Sequence, residues 1–159
     1  MKLQRFEAIQ DFSMASEDLW DFISEPYNLS LITPPDMDFQ ILSGAIRGQK
    51  MYAGQIISYT VRPLWGVPAR WVTEITHVRE GEFFVDEQRL GPYAFWHHQH
   101  ILEKIPGGVR MRDIVHYALP GWPLTFWLDR WIVRPRLQHI FAYRKERLGR
   151  IFTPLLKTV

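Results

Sequence analysis

The sequence predicts an α+β fold in which a curved antiparallel sheet of about seven strands wraps around a long C-terminal α-helix. Three observations lead to this prediction: strand patterns separated by Gly- and Pro-containing turns fill most of the chain, two short helical patterns lie between the first two strands, and one long helical pattern ends the sequence. A chain of 159 residues is expected to form one domain, residues 1–159, around one core.

The N-terminal part of the chain predicts one strand followed by two short helices. Residues 2–12 show an alternation with a period of two, which is typical of a strand. A helical pattern begins at Ser16, a residue type that favours helix starts, and ends at Pro26. A second short helix is predicted over residues 27–32, and Pro34 and Pro35 are expected to end it.

The middle of the chain predicts a series of strands joined by tight turns. Glu80-Gly81, Gly91-Pro92 and Pro106-Gly107-Gly108 provide turn sequences between apolar runs. Such short links join antiparallel neighbours, so residues 55–119 are expected to form a meander. The predicted strands cover residues 37–42, 55–64, 69–78, 82–90, 94–105 and 109–119.

The last part of the chain predicts one long helix over residues 122–152. Its first half carries an apolar stripe at three- and four-residue spacing, formed by Leu124, Trp127, Leu128 and Trp131. In its second half, Leu137, Ile140, Leu148 and Ile151 lie on a different side of an ideal continuous helix, so either a kink turns both stripes onto the sheet or the helix has a second buried face. Pro135 has no backbone N–H, so we expect a kink or break near Arg134.

The composition is that of a soluble globular protein with an excess of aromatic residues. Apolar residues make up 47% and charged residues 23%, whereas aromatic residues reach 14% and include seven Trp, which suits a pocket as well as a core. The absence of Cys excludes disulfides, thiolate catalysis and Cys-ligated zinc. A net charge of +2 does not indicate nucleic-acid binding. No signal peptide or membrane-spanning run occurs, so we expect a cytoplasmic protein.

Several local segments carry a family resemblance. They are FVDEQ at residues 84–88, GPY at 91–93, WHHQH at 96–100 and DIVHYALP at 113–120. Together with the order of elements, they resemble a small bacterial branch of the START-like superfamily, also called SRPBCC, whose members are mostly described as polyketide cyclase/dehydrase-like. The resemblance extends over essentially the whole chain and implies a helix-grip fold. It implies no particular activity and no catalytic residue, because this fold occurs in lipid-transfer domains, hormone receptors and enzymes alike.

The turn positions also predict which side chains share the concave face of the sheet. Residues two apart in a strand point to the same side, and the hairpins fix the approximate register. The face expected to lie under the helix carries Trp71, Thr73, Ile75, His77, Phe84, Asp86, Gln88, Trp96, His98, His100, Asp113, Val115 and Tyr117.

This face brings two carboxylates and two imidazoles together on three adjacent strands. Asp86, His98, His100 and Asp113 can form a buried hydrogen-bond network or a polar patch that orients a ligand. Two imidazoles and one carboxylate can also bind a metal ion, and an Asp–His pair can act in acid–base catalysis. No metalloprotein motif surrounds the cluster, so we expect neither a metal nor a cofactor.

These observations predict a protein that binds a hydrophobic or amphipathic small molecule, such as a lipid, a polyketide-like compound or an isoprenoid. An alternative is a cyclase- or dehydratase-type enzyme with His98, Asp86 and Asp113 as its catalytic candidates. A second alternative is a protein or membrane contact through the aromatic, basic C-terminal helix, near Arg130 and Arg134. The expected ligand-binding residues are Trp71, Phe84, Asp86, Gln88, Trp96, His98, His100, Asp113, Tyr117, Trp127 and Trp131.

Overall fold

A computed structural model describes residues 2–63, 66–121 and 125–152 and contains a seven-stranded antiparallel sheet. Its spatial order is β1-β7-β6-β5-β4-β3-β2, so β1 closes one edge by pairing with β7 and the other strands follow chain order. The α+β fold with its meander over residues 55–119 is therefore confirmed. The strands are β1 Gln4–Phe12, β2 Gln40–Ser43, β3 Gln55–Val61, β4 Ala69–Arg79, β5 Phe83–Leu90, β6 Phe95–Ile105 and β7 Gly108–Ala118.

Short helices connect β1 to β2, as predicted. They are the α-helix α1, Ser16–Ile23, and two 3₁₀-helices, Pro26–Ile32 and Pro35–Met37. The strand predicted to begin at residue 37 begins later, at Gln40. The reason is that Met37 ends the second 3₁₀-helix and Asp38 then adopts a left-handed backbone conformation with φ of 44°.

The C-terminal helix continues through Pro135 and does not break there. A short α-helix, α2 (Phe126–Leu128), leads into a π-helical segment, Asp129–Val133, and then into α3, Arg134–Ile151. The wider turn of the π-helical segment accommodates Pro135, which has no N–H to donate and whose ring crowds the preceding turn. The buried Tyr117 hydroxyl donates a hydrogen bond of 2.6 Å to Asp129 and so fastens the π-helical segment to β7.

The stripe predicted for the first half of the C-terminal helix does not face the sheet, whereas Leu137 and Leu148 of the second stripe are buried and Ile151 is exposed. Val133, Leu137 and Phe141 pack against Val115 and Tyr117 of β7. The predicted stripe is wrong: Trp127 and Trp131 are 64% and 65% exposed, and Leu128 is 38% exposed. Trp127 and Trp131 each lie two residues from the buried Asp129, and residues two apart do not share a helix face. Leu124 lies outside the described residues.

One β-bulge also corrects the predicted concave face. Ile75 pairs with Asp86, but the next paired residue of β4, His77, is opposite Val85, so Thr76 is the extra residue. This shift turns His77 to solvent, contrary to the prediction, and brings Val78 onto the core beside Phe84. None of the described helices combines the length and apolarity that a membrane span requires.

Candidate functional site

A cavity of about 170 Å³ lies between the concave face of the sheet, the short N-terminal helices and α3. Most of its wall is apolar, and the charged groups on it come mainly from β5, β6 and α3. The apolar lining includes Ile57, Val61, Trp71, Ile75, Phe84, Met111, Leu137, Ile140 and Phe141. A cavity of this kind is suited to a ligand with an apolar body and a polar end.

Aromatic rings form one side of the cavity. The Trp71 ring meets the Trp96 ring almost perpendicularly at 5.2 Å and the Tyr93 ring at 5.6 Å, and the Tyr93 and Trp96 rings lie 4.9 Å apart. Tyr59 stacks behind Trp71 at 6.1 Å. These rings present both faces and edges to the cavity, which suits contact with a flat ligand.

Gln88 positions this aromatic side and does not line the cavity. Its side-chain amide donates a 2.7 Å hydrogen bond to the Tyr93 carbonyl and accepts one of 3.2 Å from the Tyr93 N–H. Sequence reasoning assigned Gln88 to the ligand and missed Tyr93. Tyr93 lies in the turn between β5 and β6, where strand alternation does not predict the direction of a side chain.

The register of three strands builds the polar part of the wall. Asp86 of β5 is opposite His98 of β6, and His100 of β6 is opposite Asp113 of β7. Because the two imidazoles are two residues apart on the central strand, each lies between both carboxylates. His98 is 3.2 Å from Asp86 and 3.0 Å from Asp113, and His100 is 2.9 Å from Asp86 and 2.8 Å from Asp113.

The hydrogen bonds of this cluster run diagonally across the strands. His98 Nε2 is hydrogen-bonded to Asp113, and His100 Nε2 is hydrogen-bonded to Asp86. The Trp96 indole N–H donates to the other oxygen of Asp86 at 3.2 Å. His100 Nδ1 lies close to Asp113 but makes no hydrogen bond, because the angle is unfavourable.

Arg144 of α3 supplies a buried positive charge to the cluster. Its guanidinium lies 3.3 Å from Asp113 and over the Phe141 ring at 4.8 Å, and only 7% of the residue is exposed. Arg144 was not among the candidate residues predicted from the sequence. Its spacing from Leu137, Phe141 and Leu148, which all point inward, was the signal that could have identified it.

The neighbouring cations keep both carboxylates ionised. Burial alone would raise the pKa of Asp86, but the charge of His98 and the close polar contacts with His100 and His98 hold it well below its usual range. Burial likewise opposes ionisation of Asp113, but close polar contacts with both imidazoles and the charge of Arg144 hold its pKa well below the usual range. The cluster therefore stays charged inside a largely apolar wall.

His98 makes the stability of the protein dependent on pH. Burial would lower its pKa, but Asp86 and Asp113 together raise it above the ordinary 6.5. The stabilisation of the folded state by protonated His98 is therefore complete below about pH 6.5. It is lost as the pH rises through the pKa that His98 has in the folded protein. We expect the free energy of unfolding, measured by urea denaturation in a chelator-containing buffer, to fall as the pH rises above about 6.5.

The control for this pH dependence is a pair of substitutions on the same strand. His98→Gln is expected to flatten the fall, and His97→Gln, on the outer face of β6, is expected to leave it unchanged. An equal slope in the wild type and in His98→Gln would contradict the role of His98.

A second arginine, Arg136, joins the cavity wall to the neighbouring loops. Its guanidinium donates to Asp36 at 2.6 Å and to the Pro63 carbonyl at 3.0 Å. It therefore ties α3 to the second 3₁₀-helix and to the segment after β3 while it lines the cavity. Sequence reasoning missed this residue for the same reason as Arg144.

Besides Gln88, the predicted ligand-binding residues fall into three groups in the structure. Asp113 belongs to the polar cluster but does not line the cavity, and Tyr117 is fully buried against Asp129. Trp127 and Trp131 lie on the outer side of the C-terminal helix, because Asp129 and Val133 occupy its buried positions. The residues on the cavity wall are Trp71, Phe84, Asp86, Trp96, His98 and His100.

Comparison with known proteins identifies the fold. No protein-family model and no curated protein matches the sequence significantly. The fold is similar to that of CV1439 from Chromobacterium violaceum, at 13% identity and a TM-score of 0.69, over 95% of this chain and 99% of that one. It is also similar to major latex-like protein 151 from Panax ginseng, at 9% identity and a TM-score of 0.68, over 96% and 99% of the two chains.

A further similar structure is that of Ara h 8.0201, at 17% identity and a TM-score of 0.62, over 91% of this chain and 97% of that one. At such low identities these likenesses concern the fold and not the activity. They show that the chain has the helix-grip fold.

Proposed function

We infer that the protein binds a small amphipathic molecule whose apolar body fills the cavity and whose polar end meets the Asp86–His98–His100 part of the wall. The observation that carries this inference is the concentration of hydrogen-bonding and charged groups on one part of an otherwise apolar cavity. The helix-grip fold and the local resemblance support assigning residues 1–159 to one START-like, SRPBCC-type domain.

The size and shape of the cavity favour a compact ligand over a two-chain lipid. An apolar cavity of roughly 150 Å³ already accepts a benzene ring, and this cavity has about 170 Å³. The aromatic side formed by Trp71, Tyr93 and Trp96 suits a flat body. A one- or two-ring compound of the polyketide type, or a short isoprenoid, with a hydroxyl or carbonyl group fits these features best.

The direct test is native mass spectrometry of the protein purified from its expression host, followed by denaturing extraction of bound molecules. A co-purifying small apolar compound would support the proposal and give its chemical class. A mass of the protein alone would argue against tight carriage of a host lipid, and defined probes then provide the test.

A matched pair of probes separates the two parts of the proposed site. Naphthalene offers only the apolar body, whereas 2-naphthol adds one hydroxyl. We expect 2-naphthol to bind about tenfold more tightly in equilibrium dialysis, because one hydrogen bond to a charged group contributes roughly 1.5 kcal/mol. The substitution Asp86→Asn is expected to reduce this difference, and failure of both probes to bind would overturn the proposal.

Trp96 provides a test of the cavity wall. Trp96→Ala removes a half-buried ring and the N–H that holds Asp86, so we expect 2-naphthol affinity to fall by about tenfold or more. The loss in binding free energy is expected to exceed the loss in the free energy of unfolding measured by urea denaturation. Phe95→Ala, on the outward side of the same strand, is the control, and equal losses in Trp96→Ala would identify Trp96 as ordinary core.

A cyclase- or dehydratase-type reaction is the second candidate function. It is favoured by the hydrogen bond between His98 and the ionised Asp113, since a carboxylate that orients an imidazole is a common acid–base arrangement. Under this proposal His98 exchanges a proton with a bound substrate while Asp86 and Asp113 stabilise its charged form. A bell-shaped pH dependence of turnover that disappears in His98→Ala would support it, and turnover retained in that variant would exclude it.

A further inference from the structure

We propose that Asp86, His98 and His100 form a binding site for a divalent first-row transition-metal ion such as Zn²⁺. One ligand atom from each residue can be chosen so that all three lie within 4.8 Å of one another. The proposal goes beyond binding of an organic ligand and does not rest on it, because metal binding can be measured with the protein alone.

The atoms that would hold the ion are already close to the required spacing. His98 Nδ1 and His100 Nε2 lie 3.2 and 2.9 Å from the same oxygen of Asp86. Ligands at about 2.0–2.1 Å from a tetrahedral Zn²⁺ are roughly 3.3 Å apart. Two of the three distances between the proposed ligand atoms are therefore already close to those around a bound ion.

The surrounding groups match those that support metal-bound imidazoles. The second ring nitrogen of His98 is hydrogen-bonded to Asp113 at 3.0 Å, and that of His100 lies 2.8 Å from the same oxygen. Metal-ligating histidines donate their other N–H to a carboxylate or carbonyl, which fixes the tautomer and orients the ring. Asp113 takes this role for His98 and also lies next to the second nitrogen of His100, and Arg144 balances its charge.

The two carboxylates around His98 require a positive charge between them. A neutral imidazole has one nitrogen that only accepts, and an ionised carboxylate has nothing to donate to it. Both ring nitrogens of His98, however, lie within 3.2 Å of carboxylate oxygens. The two carboxylates are satisfied by an imidazolium that carries both protons, or by a metal ion that takes the place of the proton facing Asp86.

The proposed ligands also lie where an ion could reach a cavity ligand. Asp86, His98 and His100 are on the cavity wall, while Asp113 is not. Three protein ligands leave at least one coordination position, which would face the cavity. Two nitrogen donors and one oxygen donor favour Zn²⁺, Co²⁺ or Fe²⁺ over Mg²⁺ and Ca²⁺, which prefer oxygen donors.

The experiment is titration of chelator-stripped protein with Zn²⁺ by calorimetry and with Co²⁺ by visible absorption. We expect one ion per chain and, for Co²⁺, the intense absorption of a four- or five-coordinate site. His98→Gln or His100→Gln is expected to weaken Zn²⁺ affinity at least 100-fold. Asp113→Asn is expected to weaken it about 10- to 100-fold, as for other residues that support metal-bound histidines.

The outer face of the same strands provides the control. His97 and His116 lie there with ring centroids 6.2 Å apart and could capture an ion on their own. The double substitution His97→Gln/His116→Gln should leave stoichiometric binding unchanged. Loss of binding in that variant, or no stoichiometric binding by the wild type, would overturn the proposal.

Diffraction from wild-type crystals soaked in Co²⁺ avoids variants that fail to fold. Anomalous scattering within coordination distance of Asp86, His98 and His100 would support the site. Scattering only at other positions would overturn it.

Discussion

Replacing Arg144 with methionine is expected to lower the free energy of unfolding by about 3–5 kcal/mol, because it leaves Asp113 buried without its cation. The two residues are 7% and 5% exposed, and the guanidinium lies 3.3 Å from the carboxylate. Methionine keeps much of the volume of arginine, so lost packing contributes little. The change is measured by urea denaturation at neutral pH, where Asp113 is ionised.

Two further variants separate the buried charge from other effects. Lys145→Met removes the adjacent, exposed positive charge, and we expect a change within about 0.5 kcal/mol. Adding Asp113→Asn to Arg144→Met removes the uncompensated charge and should recover part of the loss. The two residues are not coupled if Asp113→Asn lowers the free energy of unfolding by the same amount in the Arg144→Met background as in the wild type.

The strand order could be predicted from the sequence because local signals determined it. Turn sequences such as Glu80-Gly81 and Gly91-Pro92 separate runs of strand-forming residues, and links this short allow only antiparallel neighbours. The pairing of β1 with β7 joins the two ends of the chain and carries no local signal. The partner of β1 was therefore not predicted from the sequence.

The cluster of Asp86, His98, His100 and Asp113 could also be predicted, because strand alternation and register determine it. His77 was misplaced because the bulge at Thr76 adds one residue without any Gly or Pro to mark it. Arg144 was missed because a basic residue among other basic residues is normally solvated. Only the buried partner Asp113, which is distant in sequence, makes its burial favourable.

Phe141 was not among the apolar residues predicted for the inner face of α3, and it shows what that face contributes. The Phe141 ring is 6% exposed and contacts the Phe6 ring at 4.9 Å and the His98 ring at 5.7 Å. Arg144 lies over its face. Phe141 therefore closes the cavity beside the polar cluster and connects it to β1.

Phe141→Ala is expected to lower the free energy of unfolding by about 3–5 kcal/mol, as is usual when a buried aromatic side chain is removed. Trp131→Ala on the exposed side of the same helix is the matched control, with an expected change within about 0.5 kcal/mol. Equal losses in the two variants would show that the helix packs by another face.

The same substitution tests whether the space beside Phe141 is continuous with the ligand site. Removing the ring enlarges the cavity, so an aromatic probe larger than 2-naphthol, such as 1-pyrenol, should bind the variant more tightly than it binds the wild type. At a concentration of 100 times its dissociation constant the probe would restore about 2.7 kcal/mol of stability. A variant that is destabilised but gains no affinity for the larger probe would show that the protein collapses into the space, and that Phe141 supports the fold without bounding the ligand.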